Sequence, residues 1–113
     1  MRNQTRNTVL ADRADVADTS AKRRTGLLKH ARLEPGEALW LVPCESVHTC
    51  FMKFPIDLVY LDKRRKVRKA SSAVPPWRLS ACFQAHSVLE LPAGTVKQSG
   101  TEAGDELAFE KMA

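Results

Sequence analysis

Apolar residues in this chain come mostly in short runs that alternate with polar ones, the period of a strand, and only residues 19–30 carry the spacing of a helix. Runs at 8–11, 38–42, 47–52, 56–61, 67–74, 87–91 and 106–110 are rich in β-branched or aromatic residues or alternate in polarity, and turn residues separate them. Residues 12–18 are polar, with Asp15 or Asp18 placed to cap the helix. Pro75-Pro76-Trp77-Arg78 must be extended or looped, residues 82–84 are ambiguous, and Pro92-Ala93-Gly94 opens a turn or helical piece through Gln98. About seven short strands and one helix predict a mainly β fold: a single compact antiparallel β-sandwich or barrel with the N-terminal helix packed on it.

The longest apolar stretch, residues 40–62, organises the rest. Runs 47–52 and 56–61 flank Lys53-Phe54-Pro55, which reads as the turn of a β-hairpin. A period of two puts Val47, Thr49 and Phe51 on one face and His48, Cys50 and Met52 on the other. On the second arm it separates Ile56, Leu58 and Tyr60 from Asp57, Val59 and Leu61. With a loop of residues 53–55, His48 and Asp57 fall on opposite faces, so a His-Asp catalytic pair is not the default geometry.

Length bounds the chain to one domain: 113 residues bury one core, here spanning 7–110, with residues 1–6 left disordered. One core and no required disulfide point to a monomer or weak dimer. The formal charge of +5 comes largely from Lys22-Arg23-Arg24 and from Lys63-Arg64-Arg65-Lys66 with Arg68 and Lys69. Short basic clusters on a strand-to-strand turn are usually solvated edges, and the aromatic platforms of an RNA reader are missing, so nucleic acid is not the expected partner. Three cysteines cannot all pair within one chain, and the N-terminus has no apolar signal core, which points to a reducing, cytoplasmic setting. No run reaches the roughly 18 apolar residues that cross a bilayer, so no membrane partner is expected.

Several segments, in order and spacing, resemble a bacterial and archaeal family known as domain of unknown function 192. They are Gly26-Leu27-Leu28 with Leu33 and Gly36; Val47-His48-Thr49 with Phe51-Met52-Lys53-Phe54-Pro55-Ile56-Asp57 and Leu61-Asp62; Pro76-Trp77-Arg78; Val88-Leu89-Glu90-Leu91-Pro92-Ala93-Gly94; and Gly104-Asp105. The resemblance implies a compact mainly β domain and carries over no settled activity. The chain departs from the family pattern at Leu28 and His30, where Met and Arg are usual, and at Arg64-Arg65, where Asp-Gly is common.

Three constellations could carry chemistry. Cys44, His48 and Cys50 share strand parity, and Cys82 with His86 adds two more soft or borderline ligands, but their spacing is no recognised metal knuckle, so no bound metal is expected. His48 beside Cys50 is the only tempting nucleophile-base pair, and nothing marks that cysteine as activated. Trp77-Arg78 after two prolines is a stiff loop bearing the side chains that dominate binding surfaces. Glu90, in an otherwise apolar strand, needs a partner if buried, and Arg78 is the natural one. Gly94 and Gly104 have no phosphate-loop context, and no cofactor is expected. The leading expectation is a non-enzymatic binding module that takes a small polar ligand or protein partner at His48, Asp57, Trp77, Arg78 and Glu90. The alternative is a small hydrolase, metal-assisted or not, using His48 with Asp57 or the cysteines.

Overall fold

Residues 56–61 are apolar on both sides of the strand, and a strand of that kind needs a layer on each face. In the computed structural model, which describes residues 1–17, 33–50 and 52–109, they form the fully buried strand β6 (Ile56–Leu61). The preceding strands are β1 (Arg2–Asn3), β2 (Thr8–Val9), β3 (Arg13–Ala17), β4 (Glu37–Leu41) and β5 (Ser46–His48). After β6 come β7 (Val67–Val74), β8 (Leu79–Ala81), β9 (Ser87–Pro92), the short helix α1 (Thr95–Ser99) and β10 (Leu107–Ala108). The helix expected over residues 19–30 lies outside the described residues.

A five-stranded sheet in the order β3-β4-β9-β6-β7 forms the middle layer, and strand parity divides its core in two. Val59, Leu61, Leu89 and Leu91 point to one face, where they pack with Leu10, Val67, Val96 and Leu107 under the three-stranded sheet β10-β1-β2 and α1. Leu58, Tyr60, Val88, Leu39 and Leu41 point to the other, with Val47, Cys44 and Cys82 of the two-stranded β5-β8 unit packed over them. This is a mainly β, sandwich-like arrangement of several sheets and no closed barrel among the described residues.

Four expectations are corrected. Residues 47–52 and 56–61 do not form a hairpin: β6 pairs with β7 and β9, while β5 pairs with β8. The reason is local, since Met52 N donates to Thr49 O at 3.2 Å and turns the chain away before a second arm can form. The sheet is not wholly antiparallel, because β3 runs parallel to β4. Residues 18–36 give the long connection that such a pair requires, and β3 is an edge strand exposed except at Ala17, so its polar sequence carried no strand signal. Ten strands, rather than about seven, occur among the described residues. Residues 1–6 are not loose: Asn3 is fully buried, its Nδ2 donates to Asp105 Oδ2 at 3.0 Å, and the N-terminal ammonium donates to Ala11 O at 2.8 Å.

Candidate functional site

Two prolines deprive residues 75 and 76 of N–H groups and keep the chain extended before Trp77. The backbone of that loop is then held by one side of the β5 exit. Buried Thr49 receives Trp77 N at its carbonyl (3.0 Å) and donates its own N–H to Arg78 O (2.8 Å). Its Oγ1 accepts from Arg78 N at 2.8 Å and donates to Pro75 O at 2.7 Å. So held, Trp77 takes a left-handed conformation, φ 65°, which a bulky side chain rarely adopts unless its surroundings enforce it.

Pairing of His48 with Leu79 and of Val47 with Ser80 decides what this small sheet shows to water. Val47 packs down on the core, and Ser80 Oγ meets the buried Tyr60 hydroxyl at 2.9 Å. Burial raises the Tyr60 hydroxyl above its ordinary value against the Ser80 contact, with Cys44, Cys82 and Glu90 nearby adding to the rise. The opposite parity carries His48 and Leu79 outward. Leu79 and Phe83 are each 81% exposed and Trp77 is 59% exposed, beside the exposed Arg78, whose Nη1 donates to Trp77 O at 3.4 Å. Trp77 and Leu79 lie at the start of β8 and Phe83 in the turn that follows it, so large apolar side chains are exposed at both ends of this strand.

Of the five residues expected to bind, the structure brings together His48, Trp77 and Arg78. Asp57 is on the other face of the main sheet, fully buried, and accepts Ala73 N at 2.7 Å, Val96 N at 2.7 Å and Gly94 N at 3.1 Å. It ties β6 to the β7 bend and to the start of α1, and no His48–Asp57 pair forms. Glu90 lies between Leu39 and Leu58 on the face that the small sheet covers. It is 5% exposed, and burial raises its carboxyl to about 7. No ion pair joins it to Arg78, which is solvent-facing, so the expected pairing is overturned: the Pro-Pro-Trp-Arg loop is pinned by Thr49 instead.

Cys44, Cys50 and Cys82 are half-buried, and Cys44 Sγ donates to Ser46 O at 3.0 Å. Among the described residues no three of His, Cys, Asp and Glu come together as a metal site, so Cys44, His48, Cys50, Cys82 and His86 are not assembled. A cleft of about 480 Å³ between residues 8–12 and 92–99 contains none of the five expected binding residues. Leu79 and Phe83 escaped sequence reasoning although Leu79, Ala81 and Phe83 share a parity, because an apolar stripe of that period ordinarily marks a buried face.

Residues 1–109 match the sequence profile of a family described as "Uncharacterized ACR", domain of unknown function 192. A UPF0127 protein of Thermococcus sibiricus is 32% identical over 96% of this chain and 73% of its own length. Another from Pyrococcus furiosus is 28% identical, with 99% of each chain covered. These relatives are archaeal and do not support a bacterial assignment. Two crystal structures share the fold. A Novosphingobium aromaticivorans protein of unknown function superposes with a TM-score of 0.74 at 21% identity, over 85% of this chain and 74% of its own. A Sinorhizobium meliloti protein described as a candidate transcription regulator gives 0.76 at 22%, over 82% and 78%. At these identities the likeness shows the fold alone. No helix among the described residues is long and apolar enough to cross a membrane.

Proposed function

Because the chain belongs to the domain of unknown function 192 family, whose description names no activity, its role has to come from its own surface, and we propose that it is a non-enzymatic binding module for a segment of a protein partner. The observation that carries this reading is the Trp77 loop. A bulky residue is held in a left-handed backbone by four hydrogen bonds to Thr49, and its flank exposes Leu79 and Phe83. Backbone strain maintained by surrounding contacts clusters at functional sites, and a rigid aromatic next to Arg is the usual anchor of an interface.

The partner's chemistry follows from the charge. The chain carries +5, and Arg78 is exposed beside Trp77 and Leu79, so the segment that fits offers apolar residues flanked by carboxylates. A hydrolase built on His48 with Asp57 has less support, since those residues occupy different sheets and Asp57 is already engaged by three backbone N–H groups.

Selection of a random displayed-peptide library against the full chain tests the reading. Enriched peptides should pair an aromatic or branched aliphatic residue with Asp or Glu, and should lose binding to Leu79→Ser and Phe83→Ser. Enrichment of peptides that bind both variants as well as wild type, or no enrichment at all, would sink it.

A further inference from the structure

The basic run at residues 63–69 is contiguous in sequence, but the fold sends its charges in different directions. Arg65 turns back over the stacked rings of Trp40 and Phe109, its guanidinium carbon 4.9 Å from the Phe109 centroid. Lys69 Nζ donates to Ala81 O at 3.1 Å and lies over the Tyr60 ring. Lys63, Arg64 and Arg68 line a cleft of about 380 Å³ together with Gln84 and His86 from the loop before β9, and Lys66, whose backbone bridges to Glu106, is not in that lining.

Asp62 is the one acid in that lining, and it is already occupied. Its Oδ1 accepts Arg64 N at 2.8 Å and Lys66 N at 3.0 Å, and its Oδ2 accepts Arg68 Nε at 3.0 Å. These bonds build the turn and orient the Arg68 guanidinium while leaving its Nη groups unengaged by any described residue. On the other wall, His86 N donates to Leu61 O at 2.8 Å and His86 O accepts Cys44 N at 2.9 Å, so the backbone bearing the imidazole is held in place. Three cations face one hydrogen-bonded carboxylate, a surplus of two positive charges, with the Gln84 amide as a further donor.

We propose that this cleft binds a phosphate monoester of a small molecule. A monoester carries close to two negative charges at neutral pH and several strong acceptor oxygens, which match the surplus and the number of donors. Guanidinium groups favour such oxyanions through paired N–H donors. A nucleic-acid strand fits less well, because a diester carries a single charge and, among the described residues, no Phe, Tyr or Trp lines the cleft as a platform for a base.

Glycerol phosphate, inorganic phosphate, potassium chloride and a single-stranded oligonucleotide, each titrated into the full chain at constant ionic strength, test this by amide shifts. Glycerol phosphate should give saturable shifts confined to residues 62–68 and 84–86. The double substitution Lys63→Gln with Arg64→Gln, both exposed, should keep the folded spectrum and weaken binding by about a hundredfold, a decade for each lost charge-assisted contact. Arg68→Lys should weaken it less than Arg68→Gln. Shifts that rise linearly without saturation, that chloride reproduces, or that spread to basic residues elsewhere would overturn the assignment. So would binding of the oligonucleotide without the monoester.

Discussion

The two faces of the main sheet treat a buried carboxylate in opposite ways. On one face Asp57 sits in strand β6 with three backbone N–H donors on its oxygens, and the same face closes over it with α1 and β7. On the other, Glu90 of the adjacent strand β9 stands directly across from Leu58, and its carboxyl has no hydrogen bond with a described residue. One face is finished internally; the other is covered by a two-stranded unit whose outer side carries His48 and Leu79 to solvent. A short acid next to a strand bend and a helix start finds ready donors, whereas a longer acid in the middle of a ladder finds only paired backbone and aliphatic neighbours.

Removing Asp57 should have the largest effect. Asp57→Ala leaves the buried Val96 N–H and the partly buried Ala73 and Gly94 N–H groups without their acceptor, and at roughly 1–3 kcal/mol for an unsatisfied buried donor, less where water can reach, the loss should be about 2–4 kcal/mol by urea denaturation. A loss below about 1 kcal/mol would mean that Asp57 is not the tie between β6, β7 and α1.

Glu90 should act in the opposite direction and with a definite pH dependence. Its carboxyl rises from an ordinary 4.5 to about 7, so the folded protein holds a proton that the unfolded chain has released. Stability from this group is complete below pH 4.5 and declines as pH rises through about 7, a span corresponding to roughly 3 kcal/mol. Glu90→Gln should therefore add up to about 3 kcal/mol at pH 8 and little at pH 4. Asp105 has the opposite sign. Burial pushes its carboxyl up, but Asn3, Glu102 N and Arg6 more than offset this and hold it below the usual range, so its stabilisation is lost only as acid protonates it. Measuring stability against pH for wild type and Glu90→Gln separates the two, since only the decline toward alkaline pH should vanish in the variant.

Much of the middle layer was legible in the sequence. Ile56–Leu61 announces burial on both faces, Ser87–Pro92 was placed within a residue of its end, and Pro75-Pro76 required the extended approach to Trp77. What stayed hidden is nonlocal. Nothing in Val47 or His48 states that β5 pairs with residues some thirty positions later rather than with its sequence neighbour β6, because pairing between distant segments leaves no local spacing to read. Strand β3 is set by its parallel partner and by exposure, both invisible in Arg13-Ala14-Asp15-Val16. Of the residues expected to bind, His48, Trp77 and Arg78 are exposed around the small sheet, whereas Asp57 and Glu90 are buried in the core, a difference that strand parity alone could not state.

The Arg78–Glu90 relation gives a finer discrimination. With Arg78 solvent-facing and Glu90 beneath the small sheet, Arg78→Ala and Glu90→Gln should be additive, with coupling below about 0.5 kcal/mol in a double-mutant cycle. Coupling above about 2 kcal/mol would restore the pair and remove Arg78 from the binding surface.

Smallest in its effect on folding, and most direct on function, is the outer side of the small sheet. Side chains exposed as fully as Leu79 and Phe83 contribute little to stability, so replacing both by Ser should move the unfolding free energy by less than about 0.5 kcal/mol. The decisive measurement is the affinity of a library-selected acidic, apolar peptide for wild type and for Leu79→Ser/Phe83→Ser. The account predicts a loss of about a hundredfold or more, the size expected when two anchors leave an interface, with the urea midpoint unchanged; equal affinities for the two proteins would contradict it.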